Sequence, residues 1–352
     1  MLSNPLDFEK PIAELDDLIG ELKKVGSDPA ERQEAVANGI DIEAEIGRFE
    51  AKRELMARKI YSSLTPWNEV QMARHVDRPY TLDYIGMIFE DFLELHGDRN
   101  GADDPAIVGG VAKLGSQQVV VMGHQKGRDL KARQLRNFGS ARPAGFRKAL
   151  RLMKMAEKFH RPIVVFVDTP AAEANLLAEE DGISMSIAIC LREMVTLTVP
   201  IIVAVIGEGG SGGALGIAVG DRVIMLEHSV YSVIPPEGCA AILWNDRSRA
   251  ADAAGALKLT SKHALEFGLV DEVLEEPLGG AHRDPVEMAN RLKSAICGAL
   301  GKLVSVDGET LTQGRYDRFR NMGQWIELES TPQPAHSSLP AELARESGEG
   351  KG

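Results

Sequence analysis

Residues 203–223 read VAVIGEGGSGGALGIAVGDRV. Seven of the fourteen residues from Gly207 to Gly220 are glycine, directly behind an apolar run. The run predicts a buried strand, and glycine marks places where backbone must come close to backbone or ligand. Three readings compete. Gly207-x-Gly209-x-x-Gly212 matches a dinucleotide fingerprint, with Glu227 twenty residues after Gly207 in the place of a ribose-binding acid. Against this, the following helix spans only about nine residues and is punctuated by Gly216 and Gly220. The segment holding Glu227 also runs on into HSVYSVI, and the motif lies deep in the chain. A P-loop is excluded, because no Gly-Lys-[Ser/Thr] follows. The second reading gives Gly209 and Gly210 consecutive amides at a helix start, aimed at one oxygen with the helix dipole behind them. That is the construction of an oxyanion hole. The third reading is close strand–helix packing without a ligand.

Bulk properties bound the choice. The chain has 352 residues, 44% of them hydrophobic, enough for one large domain of roughly 250 residues with appendages. A net charge of −12 and a pI near 5.3 argue against a general nucleic-acid binder. An aromatic content of 5% fits base stacking poorly. Cys190, Cys239 and Cys297 are far apart and form no CxxC pair, so neither a zinc ribbon nor a disulfide framework is expected, and a reducing cytoplasm is the expected compartment. The opening MLSNPLDFEKP lacks a basic, then apolar, signal segment. The longest apolar run, VTLTVPIIVAVIG, is too short to span a bilayer.

Three parts are expected. Residues 1–78 read as a helical arm: Phe8, Ile12, Leu15, Ile19 and Leu22 make one stripe, and Ile42, Ile46, Phe49, Met56 and Ile60 a second. The two helices are expected to pair as a hairpin, either covering the surface or gripping another subunit. Residues 79–325 alternate strands and helices, which predicts α/β layers. In this part AIVGGVAKL and QQVVVMGH form a strand pair, PIVVFVDT and PIIVAVIGE are strands, and GGALGIAVG is a short helix. RVIMLEHSVYSVI reads as one strand, and a helix over 286–297 closes the domain. Residues 326–352 are rich in Pro, Ser and Gly and read as a disordered tail.

The ordered set FEKPIAELD, RPYTLDYI, ELHGDR, HQKGRD, RNFGSARPAGFRKALRLM, IGEGGSGGALGIAVGDRVIMLEHSVYSVI, PEGCAAILW and LKLTSKHALEFGLVDEV covers most of residues 8–276. In these segments the chain resembles the carboxyltransferase alpha subunits of bacterial-type, multisubunit acetyl-CoA carboxylase. The resemblance implies a crotonase-like (ClpP/crotonase) fold of ββα units wound into a superhelix. It implies a carboxyltransferase beta subunit as partner in an α2β2 heterotetramer, with biotin carboxylase in the wider ATP-dependent complex. The implied reaction moves a carboxyl group from carboxybiotin on the biotin carboxyl carrier protein to acetyl-CoA, giving malonyl-CoA for fatty acid synthesis. The resemblance implies no covalently bound cofactor on this chain and zinc only in the beta subunit. Gly209 and Gly210 match the paired glycines whose amides face the biotin carbonyl oxygen, worth on the order of 3 kcal/mol per donor by analogy with other oxyanion holes.

One region departs from the family. Where the pattern after the strand is Pro-Gly-Ala-Tyr-Pro-Gly, this chain has TPAAEANLLAEEDGI, with Glu173 in place of an aromatic residue. Loss of two glycines and a proline changes the expected loop path beside the biotin pocket. Pro235 stands where Ser is common. Between Lys126 and Lys154 lie ten Lys or Arg and one acid, Asp129. This run is read either as a field attracting CoA phosphates or an acidic partner, or as a solvated face with internal salt bridges. Arg128, Lys131 and Arg136 are the candidate ligand contacts within it. Glu237 and Gly238 of PEGC are further candidates, Glu237 capping a helix or orienting pocket groups. His124 and His228 read as structural. Two alternatives to the favoured enzyme subunit are a stand-alone crotonase-fold acyl-CoA hydratase or isomerase, and a weakly catalytic carboxylase scaffold with an altered 171–183 loop.

Overall fold

The computed structural model describes residues 4–323; the tail expected over 326–352 lies outside them. The chain opens with α1 (Lys10–Ser27), α2 (Pro29–Ala37), α3 (Ile42–Tyr61), α4 (Pro66–Ala73) and α5 (Thr81–Ile88). Strands β1 (Glu90–Glu94), β2 (Ile107–Leu114) and β3 (Gln117–His124) precede α6 (Leu130–Leu135) and α7 (Pro143–Lys158). Then come β4 (Ile163–Thr169), α8 (Leu176–Glu180), α9 (Ile183–Thr196), β5 (Ile201–Gly210), α10 (Ser211–Leu215), β6 (Arg222–Leu226) and β7 (Val230–Ser232). The last elements are α11 (Pro236–Trp244), α12 (Ala250–Leu257), α13 (Ser261–Glu266), β8 (Glu272–Leu274), α14 (Pro285–Leu303) and α15 (Gly308–Arg320).

The strands form one sheet in the order β1-β2-β3-β4-β5-β6-β8. The first three pair antiparallel and the rest parallel. Parallel strands covered on both faces must be apolar on both, and here the alternation assigns each residue to a side. Ile163, Val165, Val167, Ile201, Val203 and Val205 point to one face, where α7 and α9 bring Phe146, Leu152, Met153, Cys190 and Met194. Val164, Phe166, Ile202, Ala204 and Ile206 point to the other, against Tyr84, Ile85 and Ile88 of α5 and Leu292 and Ile296 of α14. Strand β5 serves two neighbours in succession. Ile202–Val205 pair with β6, and Glu208–Gly210 with β7. Its far end therefore projects beyond the main sheet into a second strand pairing, where the glycines lie.

The expected hairpin is present as an antiparallel α1/α3 pair. Arg53 bonds Asp16 at 3.1 Å and Lys23 bonds Glu50 at 2.7 Å. Its base is fastened through buried Glu9, which accepts from the Tyr61 hydroxyl and, at 3.0 Å, from Arg283. Helix α4, placed in the arm by sequence, packs with the body instead: Val70 and Ala73 join Val230, Ala254 and Leu259. The strand read over RVIMLEHSVYSVI is two strands, because Ser229 N–H turns back to Leu226 O and its hydroxyl donates to Val205 O. The helix read over GGALGIAVG ends after five residues. Strand β1 and helix α15 carry no clear apolar period and were not anticipated.

Candidate active site at the end of strand β5

Gly210 closes β5 in an extended conformation, and Ser211 follows with φ of 53°. A non-glycine residue in the left-handed region marks a sharp, strained strand-to-helix turn. Gly209 and Gly210 before it and Gly213 after it are tightly enclosed. A Cβ on Gly210 would lie 1.9 Å from Pro170 O and 2.8 Å from Thr169 O. On Gly213 it would lie 2.3 Å from Ala172 N. On Gly209 it would meet the Tyr231 ring at 2.5 Å. The packing reading of the glycines therefore holds as geometry: the end of β5 rests bare backbone on the end of β4. The same bare backbone lines a cavity of about 20 Å³ together with Arg74, Glu208, Pro170 and Ser232. That is the scale of a single water or oxygen atom. Beyond Ser211 and Ser232 opens a larger cleft of about 590 Å³, mostly apolar, lined by Gly212, Leu215, Tyr231 and Phe267 among others.

A buried ionic cluster stands behind the turn. Lys126 Nζ donates to Asp168 at 2.7 Å and to Glu208 at 2.8 Å. Arg74 Nε donates to Glu208 at 2.6 Å, and its other nitrogens to Glu237. Asp168 also accepts the Glu208 N–H at 2.9 Å. Burial alone would raise Glu208, but Lys126 and Arg74 outweigh it and hold its carboxyl at about 2. Burial likewise works against the Lys126 charge, and its two carboxylates overcome that and push its pKa up. Both groups stay charged at neutral pH.

The candidate residues fare differently. Gly209, Gly210, Glu237 and Gly238 gather at the turn: Glu237 lies in the first turn of α11 and reaches the cavity through Arg74, while Gly238 packs against Ile234. Arg128 does not join them. It bonds Asp83 and Val76 O and lies 4.8 Å over the Tyr80 ring. Arg136 donates to Pro105 O at 2.7 Å, and Lys131 is exposed on α6. Of the two readings of the basic run, internal salt bridges account for most of its charges. Arg142 pairs with Glu173, Arg147 with Asp98 and Asp181, Lys148 with Asp103, and Lys154 with Glu193. The Arg142–Glu173 pair, with Asn175 donating to Glu173 at 2.8 Å, fixes the loop that departs from the family pattern.

His228 is structural as expected, its ring 2.8 Å from Glu69, which outweighs burial and raises its pKa. His124 is fully buried beside the Gly213 backbone, and burial pulls it down to about 3. Sequence reasoning passed over Arg74, Asp168 and Glu208, and met Lys126 only as the first residue of the basic run. Only the count of charges so close to apolar strands hinted at them. Among the described residues no cluster of three His, Cys, Asp or Glu side chains is placed to hold a metal, and no helix is long and apolar enough to cross a membrane.

The mixed α/β sheet has the crotonase-like fold of solved carboxyltransferases. The chain superposes on transcarboxylase 12S with a TM-score of 0.52 at 18% identity, covering 77% of this chain and 48% of that one, about half its length. It superposes on a Pseudomonas malonate decarboxylase with a TM-score of 0.51 at 16% identity, covering 63% and 89%. Residues 5–323 match the family model described as acetyl co-enzyme A carboxylase carboxyltransferase-like. The acetyl-coenzyme A carboxylase carboxyl transferase subunit alpha of Geobacter metallireducens is 53% identical, over 92% of this chain and 98% of its own. That of Acaryochloris marina is 52% identical, over 92% and 97%. The chain belongs to the family of acetyl-CoA carboxylase carboxyltransferase alpha subunits.

Proposed function

We propose that this chain supplies the biotin half of the carboxyltransferase site in the cytoplasm. Carboxybiotin arrives on the biotin carboxyl carrier protein. The beta subunit, in an α2β2 assembly, brings the zinc site and most of the acetyl-CoA pocket. The observation that carries this reading is the oxygen-sized cavity lined by Gly209 and Gly210, beside a cleft of about 590 Å³. A ureido oxygen fits the first and the apolar rings fit the second. When the N–CO2 bond of the substrate breaks, charge grows on that oxygen. Fixed backbone N–H donors stabilise it with no reorganisation. Biotin itself takes the methyl proton of acetyl-CoA, so the chain needs no strong side-chain base.

The test combines full-length chain, beta subunit, biotinylated carrier carboxylated in situ, and acetyl-CoA. Malonyl-CoA is expected only when both subunits are present. Its formation by this chain alone would overturn the division of labour. Metal analysis of the chain purified alone is expected to give no stoichiometric zinc, and one tightly bound zinc per chain would contradict the assignment.

A further inference from the structure

The ionic cluster behind the turn poses an electrostatic problem. Glu208 immediately precedes Gly209 and lines the same cavity as Gly209 and Gly210. A fixed carboxylate there opposes any negative charge that grows in the cavity, and weak solvation strengthens the opposition. Lys126 and Arg74 answer it directly, through the bonds to Glu208 at 2.8 and 2.6 Å. Lys126 does a second thing. By also holding Asp168, it ties the end of β4 to the end of β5 one step before Thr169–Pro170 meets Gly209–Gly210.

We propose that Lys126 is a positioning residue for carboxyl transfer: it neutralises Glu208 and clamps the two strand ends, so that the glycine backbone faces an oxygen site free of opposing charge. The proposal rests on the carboxyl-transfer reading above. Lys126 need not touch substrate. The charged and titratable groups facing Glu208 are Lys126 from the loop after β3, Asp168 of β4, Arg74 of α4 and Glu237 of α11. From β7, Tyr231 lies against Gly209, raised by burial to about 12 and therefore neutral.

The experiment uses the assembled α–β complex, with wild-type malonyl-CoA formation established first. If wild type is inactive, the carboxyl-transfer reading fails; every later outcome concerns Lys126. Lys126→Met is expected to lower kcat about 100-fold at pH near 8, with KM for acetyl-CoA within about twofold. Its rate should rise as pH falls towards about 6, because Glu208 without Lys126 takes up a proton more readily and loses its opposing charge. Wild type should show no such limb, since Glu208 is held at about 2. Lys126→Arg should keep most of the activity. The double variant Lys126→Met/Glu208→Gln should lose the acid limb and recover at least about tenfold over Lys126→Met. Melting and α–β association are measured for each. If Lys126→Met does not assemble, the double variant carries the test: assembled but inactive, it overturns the proposal. A wild-type rate in Lys126→Met overturns it too, as does a slow variant with a wild-type-shaped pH profile. An acid limb that survives in the double variant belongs to Asp168 and removes Glu208 from the account.

Discussion

Gly210→Ala is expected to cut turnover of the assembled carboxyltransferase by at least about 100-fold, the scale of losing one oxyanion donor, and to lower its melting temperature as well. From sequence alone, valine at 210 is expected to keep the fold with only some loss of stability while cutting turnover at least about 100-fold. The structure removes that separation. The added Cβ meets Pro170 O at 1.9 Å, Pro170 C at 2.3 Å and Thr169 O at 2.8 Å, all of them backbone. No rotamer can relieve that contact, so the end of β4 must move, and the turn that carries the amides moves with it. Gly209→Ala is the instructive partner. Its nearest neighbours are atoms of the Tyr231 ring at 2.5 and 3.1 Å, and a ring can turn. Gly209→Ala should therefore lose less stability than Gly210→Ala while still disturbing the cavity. Steady-state rates, melting curves and beta-subunit association for both variants decide the matter. A Gly210→Ala protein with wild-type rate and melting would show that neither donor geometry nor backbone contact matters there.

This case shows what a glycine run can and cannot say. Bare backbone is needed both for an amide facing an anion and for two strand ends in contact, so the letters Gly-Gly fit either demand. Here the structure shows the strand-end contact, and the proposed oxyanion role falls on the same residues. The strand alternation was legible because each core strand is apolar on two faces and its register is simple: residues 163–167 and 201–206 assign themselves. The break at Glu227–Ser229 was hidden because β-rich residues flank it, and it is a tertiary bond, His228 N–H to Glu276 at 3.0 Å, that fixes the turn. Helix α15 was hidden for the opposite reason. Little apolar surface fastens it; buried Arg315 does, donating to Met194 O, Leu197 O, Val199 O and Asp221. The basic run stayed open between a field and internal salt bridges because spacing shows charge but not partners, and its acids come from residues that include 83, 98, 103, 168, 173, 181, 193 and 208. The site's charges were equally dispersed, since Arg74, Lys126, Asp168, Glu208 and Glu237 converge from five separate segments.

The second large effect is expected at Arg78, which is 1% exposed. Its Nε donates to Ile206 O at 2.7 Å, and its Nη atoms donate to Glu276, at 2.8 Å from Nη1, and to Ser229. Glu276 in turn accepts the N–H groups of His228 and Ala281. One ion pair thus joins the segment before α5, the far half of β5, the β6–β7 turn and the loop before α14. Burial alone would raise the Glu276 pKa, but Arg78 outweighs it and holds the carboxyl at about 2, below the ordinary 4.5. The sign follows from that depression: the stabilisation is complete above pH 4.5 and is lost as pH falls from 4.5 towards 2. Arg78→Met leaves Glu276 buried without its cation, which costs roughly 3–5 kcal/mol. Urea midpoints near neutral pH should show that loss. The deficit should shrink on acidification, because Glu276 in the variant takes up its proton at a higher pH than in wild type. Arg78→Met/Glu276→Gln should recover part of it, since the stranded charge is gone while the N–H groups of His228 and Ala281 still find an oxygen. A deficit of the same size at every pH, unchanged in the double variant, would mean that Arg78 acts by filling space, and the ion pair would then hold nothing that the apolar sheet does not already hold.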